Sequence, residues 1–385
     1  MRILIALTLT IIYLSIGYSS YKKNKDIFSP LTFFSFYQFI RYVPNILIKS
    51  EEHNFLITDE SLILLFAYQI LFICAVLIGY KLVIKKQQVI TNSQSTERIN
   101  LYFVFFLFIL GLTSRIVAIQ QSGGIYHILN SPATAYLGLS SGTGYLSLVS
   151  YLSVFGIVFF LYYSRKQKSL MILTIAMISI YVFTYAIYSS RSPILELFLL
   201  ILFSYNFLIK KIKLRHLLRI KYFIIGAIML FFLMALPYFR SGDVSNIFNF
   251  EVIGLIFENG FKSFFDQFSY VGRDAFVYNY FNSTNRWYGQ PFLNLIYGPI
   301  PSSIFTNKPA LDDGIYLNHL LRGFYITPNT GRSSFQVSYS IPFSTQSSLY
   351  ANFGLFGVLI GGVLMGYLYK ISYQKLIKFK KPLYV

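Results

Sequence analysis

Hydrophobic and polar positions divide the chain into nine apolar stretches separated by polar segments. The stretches are residues 3–18, 28–48, 62–80, 101–119, 146–163, 170–188, 193–209, 222–238 and 348–369. Each is close to the ~20 residues that a helix rising ~1.5 Å per residue needs to cross a hydrocarbon core. The pattern predicts an all-α polytopic membrane protein with about nine transmembrane helices. The first stretch runs through Ser19 and Ser20 into Lys22, Lys23 and Lys25 and reads as a retained helix rather than a cleaved leader.

One segment breaks the pattern. Residues 240–345 form a long polar insertion rich in Tyr, Asn, Gly and Pro. Within it, residues 247–268 space their apolar positions nearer to a helix than to a strand, which predicts an amphipathic helix on the outer leaflet or against the spans. Residues 289–309 hold an apolar run broken by Pro291, Pro299, Pro301 and Pro309, too interrupted to span, so a re-entrant or interface-lying segment is expected. The chain then reads as one integrated membrane domain: eight helices in 1–239, a large loop in 240–345, and a last helix with a basic tail in 346–385. A further membrane segment or pair inside the loop would raise the count to ten or eleven.

Charge gives the predicted helices a direction. Basic clusters follow stretches one, three, five, seven and nine: Lys22, Lys23 and Lys25; Lys81, Lys85, Lys86 and Arg98; Arg165, Lys166 and Lys168; Lys210 to Lys221; Lys370 to Lys381. Lys and Arg beside a span resist translocation, so these loops are predicted to face the cytoplasm, with the N-terminus outside, the C-terminus inside and the long insertion outward. This placement also accounts for the net charge of +19 without nucleic acid, which is excluded as a partner. A hydrophobic fraction of 55% with 12% charged residues sets the chain apart from soluble proteins. The lone Cys74 excludes a disulfide framework, and the four separated histidines support no metal site.

Candidate chemistry gathers on the predicted outward side. Arg191 sits between stretches six and seven, Arg240 ends stretch eight, and Arg273 and Arg332 lie in the insertion. Guanidinium groups on one membrane face suit bidentate recognition of phosphate oxygens. Glu196, three residues after Pro193, sits in the first turn of stretch seven, where the helix dipole favours its charge and where it could pair with Arg191 or act as a base. Arg41 and Arg115 lie inside apolar stretches, where a charge is costly, and are expected to snorkel to the outer headgroups.

These residues resemble the bacterial O-antigen and capsule repeat-unit polymerases of the Wzy type. As an architecture of many spans with one large outward loop late in the sequence, the resemblance covers most of the chain. Locally it rests on Ser190-Arg191-Ser192-Pro193, on Arg240-Ser241-Gly242, on Gly298-Pro299-Ile300-Pro301 running to Asn307-Lys308-Pro309, and on Ser347-Ser348-Leu349-Tyr350-Ala351-Asn352-Phe353-Gly354. It implies oligosaccharide repeat units on an undecaprenyl pyrophosphate carrier, joined on the outer face of the plasma membrane among its lipids, with no cofactor. A chain-length regulator is a possible protein partner. In that chemistry Arg191, Arg240, Arg273 and Arg332 are expected to hold pyrophosphate or sugar, with Asp274, Glu196 or His319 as the base. An O-antigen ligase-like transferase and a lipid-linked oligosaccharide flippase are the competing readings; the flippase is disfavoured because the chain shows no two comparable halves.

Overall fold

A computed structural model describes residues 1–47, 57–83, 100–130, 146, 149–164, 167–186, 191–212, 219–240, 253–254, 257, 269–298, 300, 304–336 and 340–379. Its helices are α1 (Arg2–Asn24), α2 (Pro30–Leu47), α3 (Asp59–Leu82), α4 (Leu101–Gln121), α5 (Gly124–Asn130), α6 (Leu152–Ser164), α7 (Lys168–Ala186), α8 (Arg191–Ser204, continued by a π turn, Tyr205–Ile209), α9 (Ile220–Arg240), α10 (Val271–Tyr280), α11 (Gln290–Asn294), α12 (Asp313–Leu321) and α13 (Thr345–Phe379). The described residues form no strand, and one isolated bridge pairs Pro309 with Gly331.

Among the described residues, six helical segments are long and apolar enough to cross a membrane: α1, α3, α4, α7, Ser192–Ile209 and α13. Their surfaces suit lipid. On α1, the side chains of Ile3, Leu7, Ile11, Leu14 and Tyr18 recur every three or four residues and are all exposed, while Ile5, Ala6, Leu9 and Tyr13 are buried. The other three predicted stretches coincide with α2, α6 and α9. The amphipathic helix expected over 247–268 lies outside the described residues, apart from 253–254 and 257.

The helix ends follow local chemistry. Thr58 and Ser61 form a reciprocal capping box at the start of α3, with Asp59 and Glu60 in the first turn and Lys81 in the last. Pro30 opens α2, where its missing N–H costs nothing. Asn100 caps α4 by accepting from the Tyr102 N–H (2.9 Å).

The chain divides into two compact units: Met1–Lys25, Ser29–Ile84 and Phe264–Tyr373 form the first, and Asp26–Phe28, Lys85–Ser263 and Gln374–Val385 the second. In the first unit, α3 and α13 meet backbone to backbone. A Cβ at Gly79 would strike the main chain of Val363, and one at Gly366 would strike that of Val76 and Tyr80. Gly362 and Gly366 form the small-xxx-small spacing that lets apolar helices pack closely without a hydrophobic driving force. In the second unit, Gly111 of α4 lies against Ser153 and Ser150, and Gly156 of α6 lies against Phe108.

The segment expected to be re-entrant becomes α11 and a 3-10 turn, Leu295–Tyr297. Phe292, Leu293, Leu295 and Ile296 are exposed there, and the Phe292 ring stacks on Phe353 of α13 at 6.2 Å. That contact sets α11 against α13.

Candidate functional site

Helix α10, only ten residues long, organises the polar interior of the first unit. Its buried face carries Val271, Asp274, Ala275, Val277 and Tyr278, and it packs against α2 and α3. Asp274 is fully buried. Its Oδ2 accepts from the Tyr42 hydroxyl of α2 (2.5 Å), the Ser344 hydroxyl (2.9 Å) and the Gln346 amide (3.2 Å). Ser344 also caps α13, its Oγ accepting from the Ser347 N–H at 3.1 Å. The network continues inward: the Gln346 amide donates to Tyr42 and Gln69, and the Gln69 amide donates to Tyr13 (2.5 Å) and Gln38 (3.4 Å). Five helices, α1, α2, α3, α10 and α13, are thereby tied through side chains. Burial pushes the Asp274 carboxyl above the usual carboxylate range, and hydrogen bonds from Tyr42, Ser347, Ser344 and Gln346 pull it part of the way back.

At the N-terminal end of α10 two guanidinium groups meet one aromatic ring. Arg41 of α2 lies 4.0 Å from the Tyr37 ring centroid and 4.1 Å from that of Tyr270, and its Nη2 donates to the Tyr270 hydroxyl at 3.2 Å. Arg273 faces the same Tyr270 ring at 5.3 Å. Cation–π contacts of this kind contribute about 0.5–2 kcal/mol each and hold a charge in place without neutralising it. The Arg41 Nε–H is buried with no hydrogen-bond partner. Aromatic rings of its own unit hold Arg41. Arg115 likewise turns inward, buried with its guanidinium 4.1 Å from the Tyr185 ring.

The expected site residues are distributed unevenly. Arg273 and Asp274 come together on α10 in the first unit. Arg191 begins α8, Arg240 ends α9 and Arg332 opens a 3-10 turn, but the side chains of all three lie outside the described residues. Glu196, on α8 of the second unit, is exposed, and its Oε2 accepts from the Tyr151 hydroxyl at 3.2 Å.

His319 is held structurally. It is fully buried on α12, its Nδ1 lies 2.8 Å from the Ile315 carbonyl, and its Nε2 accepts from the Gln336 N–H at 3.0 Å. Together these fix a neutral tautomer protonated at Nδ1 and occupy both ring nitrogens, which removes His319 from the candidates for a base. His319→Gln is expected to lower the thermal midpoint, through loss of bonds worth about 1–3 kcal/mol to buried partners, while the pH dependence of activity stays as in the wild type. A flattened pH profile would restore His319 as a base.

Sequence reasoning passed over Tyr42, Gln69, Tyr270 and Gln346, and singled out Arg41 without its aromatic partners. A signal existed: Gln38, Arg41 and Asn45 recur at three and four residues and mark one polar stripe on an otherwise apolar helix. Among the described residues, no group of three or more His, Cys, Asp and Glu side chains is arranged to hold a metal ion. No protein-family model, curated protein or solved structure matches the chain.

Proposed function

We propose that this membrane protein polymerises oligosaccharide repeat units carried on undecaprenyl pyrophosphate, on the outer face of the plasma membrane, with its N-terminus outside and its C-terminus in the cytoplasm. The observation that carries the reading is the pair of guanidinium groups, Arg41 and Arg273, on the Tyr270 ring. The reaction breaks the bond between the sugar C1 and the phosphate oxygen and forms one from C1 to an acceptor hydroxyl oxygen. Pyrophosphate leaves with the bonding electrons, and a base takes the hydroxyl proton. Fixed guanidinium groups stabilise the charge that develops on the leaving group without a metal. Of the three proposed bases, Asp274 lies beside Arg273 on α10 in the same unit, whereas Glu196 belongs to the second unit. The short motifs shared with the Wzy-type polymerases support the same reading.

Deletion in the native host, with surface glycan resolved by size, tests it. Single repeat units at the surface without long chains are the expected result. Loss of all surface glycan, with lipid-linked units trapped inside, would identify a flippase instead.

A further inference from the structure

Three helices of the first unit meet at one tyrosine. Tyr80 lies in the last turn of α3, the Lys370 ammonium of α13 sits 4.7 Å from its ring centroid, and the side chain of Asn24, which ends α1, lies at its hydroxyl. Close packing of α3 on α13 brings these groups together: a Cβ at Gly366, one turn before Lys370, would strike the main chain of Val76 and Tyr80. Around the ring the chain places lysines. Lys81 follows Tyr80, Lys22, Lys23 and Lys25 flank Asn24, and all four are exposed. Residues 18–25, 76–83 and 364–373 contain no Asp or Glu. The nearest acid in sequence, Asp26, is buried and accepts from the Phe28 N–H (3.0 Å) and the Asn206 amide (3.2 Å).

Ammonium groups gathered in this way repel one another. Orientation in the membrane accounts for a basic loop, but Lys370 is not in a loop: it lies nine residues inside the end of α13, and its contact with the Tyr80 ring fixes its position without cancelling its charge. One to two turns before the lysines the surface becomes apolar, where Tyr18 of α1, Ile78 of α3 and Leu364 of α13 are exposed. Cations at one level with hydrocarbon contact immediately beside them match a phosphate headgroup and its acyl chains. A soluble anion would use only the first of the two.

We propose that α1, α3 and α13 bind an anionic phospholipid here, its phosphate held by Lys370 and the lysines beside Asn24 and Tyr80, and its acyl chains lying on Tyr18, Ile78 and Leu364. The lipid neutralises the gathered charge and fastens the three helices that carry Tyr13, Gln69 and Gln346 of the buried polar network. The site is separate from the arginines on Tyr270 and stands whether or not the polymerase reading does.

Thermal unfolding of the full-length protein in neutral detergent tests it, with phosphatidylglycerol titrated against phosphatidylcholine of the same acyl chains. The midpoint is expected to rise and saturate with phosphatidylglycerol alone, as for a ligand that binds only the folded state. Lys81→Gln/Lys370→Gln should raise the half-saturating concentration about 25-fold, at roughly fivefold for each lysine beside an anionic headgroup. Lys22→Gln/Lys23→Gln, at two exposed positions, should act in the same direction, and Lys81→Arg/Lys370→Arg, which keeps the charge, should bind as the wild type does. Lys168→Gln/Lys210→Gln, which removes two exposed lysines of the second unit, should leave the titration unchanged. Equal responses to the two lipids would overturn the proposal. So would equal weakening in the first-unit and second-unit variants, which would show attraction to net charge rather than to a site. A midpoint shift reproduced by inorganic phosphate without lipid would overturn it in favour of a soluble anion.

Discussion

Arg41→Ala and Arg273→Ala are each expected to abolish long-chain surface glycan while the protein accumulates at normal abundance. Both guanidinium groups lie on Tyr270, and Arg41 is clasped between Tyr37 and Tyr270 at 4.0 and 4.1 Å. Removing one preorganised donor aimed at developing charge typically costs about 10²–10³ in rate, enough to leave single repeat units. Arg41→Lys should fail almost as badly. An ammonium keeps the charge but loses the planar stacking on two rings and the fork that grips two phosphate oxygens. Tyr270→Phe separates packing from hydrogen bonding: it keeps the ring under both cations, loses only the 3.2 Å bond to Arg41, and should retain much of the activity. Glycan of wild-type length from both alanine variants, at wild-type protein level, would sink the role assigned to this pair.

The legible part of this protein is the part that local chemistry dictates. Stretches of apolar residues become helices because each can satisfy its own backbone in lipid, and Thr58, Ser61 and Asn100 mark helix starts that any reader of caps would place. Asp274 and Arg273 drew notice as adjacent charges in a polar loop, and they do lie together on α10. What the periodicity conceals is the partner. Tyr42 and Asp274 are 232 residues apart and Gln346 and Gln69 are 277 apart, so nothing local announces either bond. Arg41 drew notice as a charge in an apolar stretch, but hydropathy along one helix does not show that Tyr37 and Tyr270 hold its guanidinium. His319 looked free because its nitrogens are taken by main-chain groups, one of them 17 residues away, and main-chain partners leave no trace in residue identity.

Gly354→Ala is expected to lower stability through the backbone conformation that it occupies. Gly354 sits inside α13 with φ 62° and ψ −148°, a break between two helical halves in a region essentially reserved for glycine. Any Cβ there is strained by about 1–3 kcal/mol from the backbone alone. It would also lie 2.6 Å from the Cζ of Arg286, whose flexible guanidinium must shift, a smaller cost than the backbone strain. The break has a purpose that the methyl group would defeat. The carbonyls of Ala351 and Asn352 accept from the N–H groups of Trp287 (3.0 Å) and Tyr288 (3.1 Å), and the Asn352 side chain accepts from the Gly289 N–H at 3.0 Å. A straightened helix would turn those carbonyls to its own N–H groups and release the strand of loop that leads into α11. The double variant Gly354→Ala/Arg286→Ala separates the two costs: removing the guanidinium should recover the steric part and leave the backbone part, a coupling of about 0.5–3 kcal/mol between touching residues. A thermal midpoint in Gly354→Ala equal to that of the wild type would mean that α13 tolerates a continuous helix, and the loop would then owe its position to something other than the break.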